Sequence, residues 1–308
     1  MLTEEQRQER MQGLTGRDIA SYMGVNKYET PYQCWERKCL GKKEEDPSKK
    51  ELFRWAHLTE DKLLEHYAQT YPIYSVKQNK ETHYWEKNKI FRGHADGFAH
   101  NRTKKEVRLI ECKMVNQYRS DEFGEPGTDD VPLDVLLQGG FYSLIYDTPV
   151  CDFPVTIGGN VPVLYYYERN KELEELIVQR GMEFWEKHIL TREPPPVTIH
   201  DKLNDIFTCV SGKRLEASKD LYYKVLELKR IKEEAKELSK IESKLGLEIK
   251  LAMQDAELLT YEGAELATHK TQTTRRFDQK AFQKDNESVF ETYKKESKTN
   301  VLRLKKGI

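Results

Sequence analysis

Val107-Arg108-Leu109-Ile110-Glu111-Cys112-Lys113-Met114 combines β-branched and apolar residues with period-2 alternation around a charged pair, the pattern of a strand. Successive strand side chains point to opposite faces, so Glu111 and Lys113 share one face and Cys112 turns the other way, into the core. A carboxylate beside an ammonium at the end of a buried strand is unfavourable unless the pair has a task. By itself the Glu-x-Lys triplet would be a solvated strand edge, because 33% of the chain is charged. Its upstream neighbour changes that reading. Phe91-Arg92-Gly93-His94-Ala95-Asp96-Gly97-Phe98 reads as a turn into a strand that carries Asp96.

A carboxylate that binds Mg²⁺, beside a lysine that orients or deprotonates the attacking water, suits metal-assisted phosphodiester hydrolysis. The order Asp-Gly, then Glu-x-Lys on the next strand, is similar to that of the PD-(D/E)xK nucleases. His94-Ala95 stands where the first part of that pattern would be.

The 308 residues suffice for one large domain, or one domain with an appendage. With 37% hydrophobic residues and a mean hydropathy of -0.81, the chain can build one good core but not a core throughout. A net charge of -1 means that nucleic-acid binding must come from local basic patches. The five cysteines, Cys34, Cys39, Cys112, Cys151 and Cys209, are scattered and odd in number. They form no C-x₂-C pair, which argues against a zinc ribbon and gives no sign of a disulfide framework. There is no apolar run of transmembrane length and no apolar leader at the start, so a reduced, cytoplasmic protein with no membrane partner is expected.

In chain order, residues 1–12 form a polar helical lead-in. Gly13-Leu14-Thr15-Gly16-Arg17-Asp18 opens a helix to about Met23, capped by Thr15 or Asp18, with free N–H groups that can hold an anion. A loop to Pro31 feeds a helix over Tyr32 to Cys39 with Trp35 on its apolar side; an ordinary helix–loop–helix explains this region equally well. After a charged linker, Gly41 to Lys50, a long helix spans Glu51 to Thr70, with Leu52, Trp55, Ala56, Leu63, Leu64 and Tyr67 as its buried stripe and Glu60 among them. Tyr71 to Tyr84 reads as a strand, and Glu86 to Phe98 as a hairpin delivering Asp96. Asn116 to Asp130, with Gly124, Pro126 and Gly127, reads as a mobile loop. Leu133 to Tyr146 is a helix with Leu133, Leu136, Leu137, Phe141, Leu144 and Ile145 as its core face, and with Gln138 and Tyr142 sharing another face. A β run over Val161 to Glu168 and an amphipathic helix over Leu173 to Leu190 close the region, which Pro194-Pro195-Pro196 ends.

Two domains are expected, 1–200 and 201–308. In the second, Leu221 to Met253 has near-heptad apolar spacing broken at Gly246. It fits a helical hairpin, a coiled-coil arm, or one amphipathic helix on the core. Two short strands from Ala264, a helix over Asp278 to Lys294 and a last strand over Asn300 to Lys305 follow. From His269 to Ile308 there are 11 Lys/Arg and 5 Asp/Glu, a net six positive charges that suit a phosphate backbone or a solvated basic face.

These pieces, in this order, resemble the YqaJ / lambda-exonuclease family of phage recombination nucleases over about residues 10–190. Thr15-Gly16-Arg17-Asp18 resembles the family's N-terminal turn and helix, which contacts the DNA 5′-phosphate; Arg17 stands where that turn often has Ser. Trp55-Ala56-His57-Leu58-Thr59-Glu60 resembles its W-G-x-x-x-E helix, with Ala56 for Gly. His94-Ala95-Asp96-Gly97 and Glu111-Cys112-Lys113 resemble its metal-binding Asp and E-x-K, and Gln138-Gly139-Gly140-Phe141-Tyr142 its Gln-x-x-x-Tyr helix. The three closely spaced C-terminal cysteines that hold an iron–sulfur cluster in some relatives are absent.

The resemblance implies an α/β fold with a PD-(D/E)xK restriction-endonuclease-like core, a mixed sheet flanked by helices, and a C-terminal helical and α+β extension. It implies a DNA exonuclease using Mg²⁺ or Mn²⁺, two ions in all, that resects linear duplexes 5′→3′ and leaves 3′ single strands for an annealing protein or recombinase. Asp96, Glu111 and the Cys112 backbone carbonyl would hold one ion, and Glu60 a second ion or its water. Lys113 would position the water, Gln138 would orient Lys113 or a ligand, and Tyr142 would support it or touch DNA. Thr15 and Arg17 would meet the 5′-phosphate. Relatives form ring trimers. Two other readings use the same residues: a structure-specific or restriction-like endonuclease, and a non-catalytic DNA-binding or recombinase-scaffold protein.

Overall fold

A computed structural model describes residues 4–41, 47–295 and 299–305. The chain divides into two units, Met1–Asp201 and Lys202–Ile308.

In the first unit, α1 (Glu4–Met11), α2 (Gly16–Tyr22), α3 (Pro31–Leu40) and α4 (Pro47–Thr70) precede the sheet. Local chemistry sets their ends. The Thr30 hydroxyl accepts from the Gln33 N–H at 3.1 Å, Gln33 returns its Oε1 to the Thr30 N–H at 3.0 Å, and Pro31 follows the cap. At α2 the Thr15 N–H and hydroxyl both donate to Asp18 Oδ2, at 2.8 and 2.9 Å. At the N-terminus expected to hold an anion, the chain's own carboxylate thus takes both donors of Thr15. Asp18 is fully buried and pairs with Arg37 at 2.7 Å and Lys38 at 2.8 Å. Glu29 accepts from the same Arg37 at 2.7 Å and from Ser21 at 2.7 Å. Burial alone would raise the Asp18 carboxyl, but Lys38 and Arg37 outweigh it and hold the group well below the usual carboxylate range.

Along α4 the buried face comprises Leu63, Leu64 and Tyr67. Trp55, expected in that stripe, is 62% exposed. Helical periodicity marks a face, but only the last turns of this one lie over the sheet. The Leu52 side chain lies outside the described residues. The strand expected over Tyr71 to Tyr84 is two. β1 (Tyr74–Gln78) belongs to the main sheet, and β2 (His83–Tyr84) pairs only with β3 (Arg92–Gly93). β4 (Gly97–Asn101) then pairs antiparallel with β1 and with β5 (Val107–Ile110).

The strand expected over Val107 to Met114 is also interrupted: β5 stops at Ile110 and β6 (Lys113–Val115) resumes after Glu111-Cys112. A 3₁₀ helix, Gln117–Glu122, follows where a mobile loop was expected. Asn116 caps it, Arg119 ties it to Glu122 at 2.8 Å and to Asp134 at 3.3 Å, and the next residue, Phe123, is buried against Tyr165. α5 (Leu133–Tyr146) has the expected bounds, although Leu133 is half exposed and Val135 takes the buried position. Gly139 lets α5 close on the sheet, since a Cβ there would lie 2.5 Å from the Phe153 ring.

Between the β5–β6 line and the edge strand lies β7 (Val150–Ile157), a strand absent from the sequence expectations. β5 and β6 lie end to end along one edge of it, both parallel, and β8 (Val163–Glu168) runs antiparallel on the other. The register is unbroken across the gap, with Ile110 opposite Asp152 and Lys113 opposite Val155, which puts Pro154 opposite Cys112. Proline has no N–H to give the ladder. The break at the Glu-x-Lys turn is thus written into the neighbouring strand. α6 (Lys171–Phe184) runs on into a π turn, Trp185–Leu190. One core cluster gathers Phe91, Phe141, Phe153, Tyr167 and Ile177. A smaller one gathers Leu64, Tyr67, Ala99 and Ile110, and Cys112 packs against it, turned away from Glu111 and Lys113 as alternation requires.

The second unit holds α7 (Leu203–Ile206), α8 (Lys219–Met253), a hairpin of β9 (Leu258–Tyr261) and β10 (Ala264–Thr268), and α9 (Gln279–Asp285) and α10 (Glu287–Tyr293). α8 is one 35-residue helix that passes through Gly246, not a helical hairpin. Its seam residues Ile231, Leu238, Ile241 and Leu245 are exposed. The helix expected over Asp278 to Lys294 divides at Asn286, and the described part of Asn300 to Lys305 forms no strand. Among the described residues no helix is long and apolar enough to cross a membrane.

Candidate active site

The break between β5 and β6 is where the expected site residues meet. Asp96 occupies the bend before β4, and its Oδ2 accepts the Cys112 N–H at 2.7 Å. The Cys112 N–H faces away from β7, past the end of the β4 ladder, and the bond fixes Asp96 beside Glu111. Glu111 is only 5% exposed. Its N–H donates to the Asp152 carbonyl at 2.9 Å. Its Oε1 accepts from Lys113 Nζ at 2.8 Å and from Gln138 Nε2 at 2.6 Å. Its Oε2 is buried with no hydrogen-bond partner. Lys113 also donates to Gln138 Oε1 at 2.6 Å, so the ammonium is held between two oxygens.

Gln138 reaches this pair from the middle of α5, and its amide lies 3.4 Å from the Tyr142 hydroxyl one turn on. Tyr142 is buried beneath α2: a Cβ on Gly16 would lie 2.6 Å from its hydroxyl. This close approach explains the glycine of Thr15-Gly16-Arg17-Asp18 and places the start of α2 at the site.

Glu60 comes in from α4, about a quarter exposed, with His57 Nδ1 at 3.4 Å. Burial, then the charge of Glu111, raises its carboxyl against the pull of His57. Asp96 is pushed well above the usual carboxylate range by burial, then by Glu111 and Glu60. Burial works against the charge on Lys113, but Glu111 and then Asp96 outweigh it and raise the group. The site thus sets three carboxylates against one ammonium. One carboxylate oxygen is buried and without a protein partner, a costly arrangement for a fold to keep.

Among the described residues, no three His, Cys, Asp or Glu side chains form a ready-made metal cage. The nucleus is a pair, Asp96 and Glu111, with the Cys112 main chain between them, and Glu60 stands further off with His57. Hard oxygen donors, an orphaned oxygen and surplus negative charge fit a divalent cation such as Mg²⁺ or Mn²⁺.

Thr15 is at the site's edge but its hydrogen-bonding groups are spent on Asp18. Arg17 is half exposed with Glu29 4.0 Å away. Sequence reasoning missed other residues at this edge. A parallel bridge between Leu14 and Phe91 draws the α2 entry onto β3. Thr15 then lines a small cavity with Glu9, Arg10, Thr82, Arg92, Gly93 and His94. Burial, then Arg10, pushes the His94 imidazole down. Arg10 gives no such signal in the sequence, where it is one of several charges on a polar lead-in.

Residues 6–142 match the model of the YqaJ-like viral recombinase domain. The uncharacterized protein YqaJ of Bacillus subtilis (strain 168) is 25% identical over 300 residues, 94% of this chain and 90% of that one. Among solved structures, an alkaline exonuclease from Laribacter hongkongensis is similar at 17% identity and a TM-score of 0.45, covering 62% of this chain and 97% of that one. The same enzyme in complex with dAMP is similar at 16% identity and a TM-score of 0.49, covering 62% and 95%.

Proposed function

We propose that this chain is a divalent-metal-dependent deoxyribonuclease that shortens linear duplex DNA from its 5′ ends and leaves 3′ single strands for an annealing protein. The observation that carries the reading is Glu111. One of its oxygens is shared by Lys113 and Gln138, and the other is buried and unpartnered beside Asp96. Asp96, Glu111 and the Cys112 carbonyl would hold one Mg²⁺ or Mn²⁺, and Glu60 a second ion or its water. Such ions neutralise charge on the attacking and leaving oxygens of an in-line displacement.

The protein's own groups supply the geometry. Lys113 has two of its three donors committed, to Glu111 and Gln138, which leaves the third to orient a water. The water oxygen attacks phosphorus, the bond from phosphorus to O3′ breaks, and the released nucleotide keeps its 5′-phosphate. Gln138 holds Lys113 in line, and Tyr142 supports Gln138. Arg10 and Arg92, which line that small cavity together with Glu9, suit a terminal phosphate docked against them, and Arg17 at the surface suits the backbone behind it. The second unit, with its basic end, serves as an extension for DNA or for the annealing protein, and a ring trimer in the bacterial cytoplasm follows from the family resemblance.

Digestion of 5′-labelled and 3′-labelled linear duplexes tests this. Mononucleotides should leave the 5′-labelled end first, with Mg²⁺ and not with EDTA. Cutting of closed circles would favour the endonuclease reading, and no metal-dependent cutting at all would leave a DNA-binding scaffold.

A further inference from the structure

A second buried charge group lies behind the site, and the proposed chemistry does not use it. Asp152, on β7, is 1% exposed. Arg108 of β5 grips it with two bonds, Nε to Oδ2 at 2.8 Å and Nη2 to Oδ1 at 2.7 Å. The Tyr67 hydroxyl of α4 donates to the same Oδ2 at 2.6 Å. Tyr67 is itself 2% exposed and sits among Tyr71 and Tyr74. Three elements therefore converge on one carboxylate.

A buried ion pair is weak evidence for stability, since apolar residues of like size often serve as well. What distinguishes this one is its position. The backbone carbonyl of Asp152 accepts the Glu111 N–H at 2.9 Å, just where β5 ends. The same residue thus holds Glu111 by its main chain and α4 by its side chain. Tyr67 follows Glu60 by seven residues, about two helical turns, so the two share a face of α4. The Tyr67 bond ties α4 to β7, the strand whose Asp152 carbonyl holds Glu111. A small slide of α4 would move Glu60 relative to Asp96 and Glu111. Two further ties hold α4 near Glu60: Gln78 of β1 donates to Asp61 Oδ1 at 2.7 Å on the exposed side, and Cys112 Sγ lies 3.8 Å from the Glu60 carbonyl.

We propose that Asp152 and Tyr67 are positioning residues that set the separation between Glu60 and the Asp96–Glu111 pair, and so the affinity of the site for divalent ions. The inference rests on the metal-dependent reading above. Outer partners of this kind typically change metal affinity by about tenfold to a hundredfold when removed.

Tyr67→Phe is the test, because it keeps the ring and leaves Asp152 paired with Arg108. Calorimetric titration of the full chain with Mn²⁺, without DNA, should show binding weakened about tenfold or more. Binding to a duplex in EDTA should stay within twofold. Ile177→Val, a small truncation in the other core cluster, is the stability control and should leave Mn²⁺ affinity unchanged. Asp152→Asn should act in the same direction as Tyr67→Phe and more strongly, if it folds. Wild-type Mn²⁺ affinity in Tyr67→Phe overturns the proposal, and so does an equal loss in Ile177→Val, which marks general loosening. A wild-type chain that binds no Mn²⁺ overturns the metal-dependent reading and this inference together, whereas binding that Tyr67→Phe leaves untouched overturns this inference alone.

Discussion

Two buried charge clusters in the first unit use the same residue types in opposite ways. At α2 and α3, Asp18 and Glu29 face Arg37 and Lys38, two negative against two positive, and the carboxylate oxygens are bonded. At the strand break, Glu60, Asp96 and Glu111 face Lys113, with only the His57 imidazole beside Glu60 among the described residues, and Glu111 Oε2 has no partner. Their carboxyls respond accordingly. Asp18 is held well below the usual range, whereas Asp96 is driven well above it. The first cluster is complete as it stands and belongs to the fold. The second is complete only when positive charge is added, and belongs to the chemistry. Burial of charge is therefore not what marks a functional site; imbalance is.

Substitution should separate the clusters. Asp18→Asn leaves the fully buried Lys38 without its counter-charge and should destabilise the protein by about 3–5 kcal/mol, read by chemical denaturation. Its pH dependence has a definite sign. The folded pKa lies below the unfolded value of about 3.9, so the stabilisation holds at neutral pH and is lost as pH falls below that value. An Asp18→Asn protein as stable as wild type would mean that the cluster is not structural.

Lys113→Ala should leave the fold and Mn²⁺ binding in place while slowing cleavage by about 10²–10⁴-fold, the range for a group that positions or deprotonates water. Single-turnover digestion measures it, and wild-type rates would remove Lys113 from the mechanism. Arg10→Ala should slow digestion of 5′-phosphorylated ends by about tenfold or more, the worth of a charged hydrogen bond, and should spare 5′-hydroxyl ends. Arg17→Ala should slow both kinds of end alike and by less. The reverse ranking would return the 5′-phosphate to Arg17.

The sequence made the second cluster more legible than the first. Asp96, Glu111, Lys113, Gln138 and Glu60 fall in short, ordered motifs, and the helix over Leu133–Tyr146 appears with its observed bounds because its apolar spacing is local. Asp18 was legible only as a possible cap, since its partners Arg37 and Lys38 lie a helix away. β7 was missed for a physical reason. It carries Asp152 and Pro154, which argue against a central strand, yet Arg108 neutralises the first and the broken neighbour accommodates the second. Arg10 was missed because ties distant in sequence, the Leu14–Phe91 bridge and the bonds of Thr82 and Tyr84 to Glu9, bring the lead-in helix to the site. Trp55 was misplaced because spacing along a helix does not say where its partner sheet ends.

The central claim, that the imbalance at Asp96 is a divalent-cation site, is tested most directly by thermal unfolding of wild type and Asp96→Asn, each in EDTA and in excess Mn²⁺. Relieving the repulsion should make Asp96→Asn at least as stable as wild type in EDTA. Mn²⁺ at about a hundred times its dissociation constant should stabilise wild type by about 2.7 kcal/mol and leave Asp96→Asn unmoved. An Asp96→Asn protein that melts well below wild type in EDTA, or that gains as much from Mn²⁺, would contradict the account.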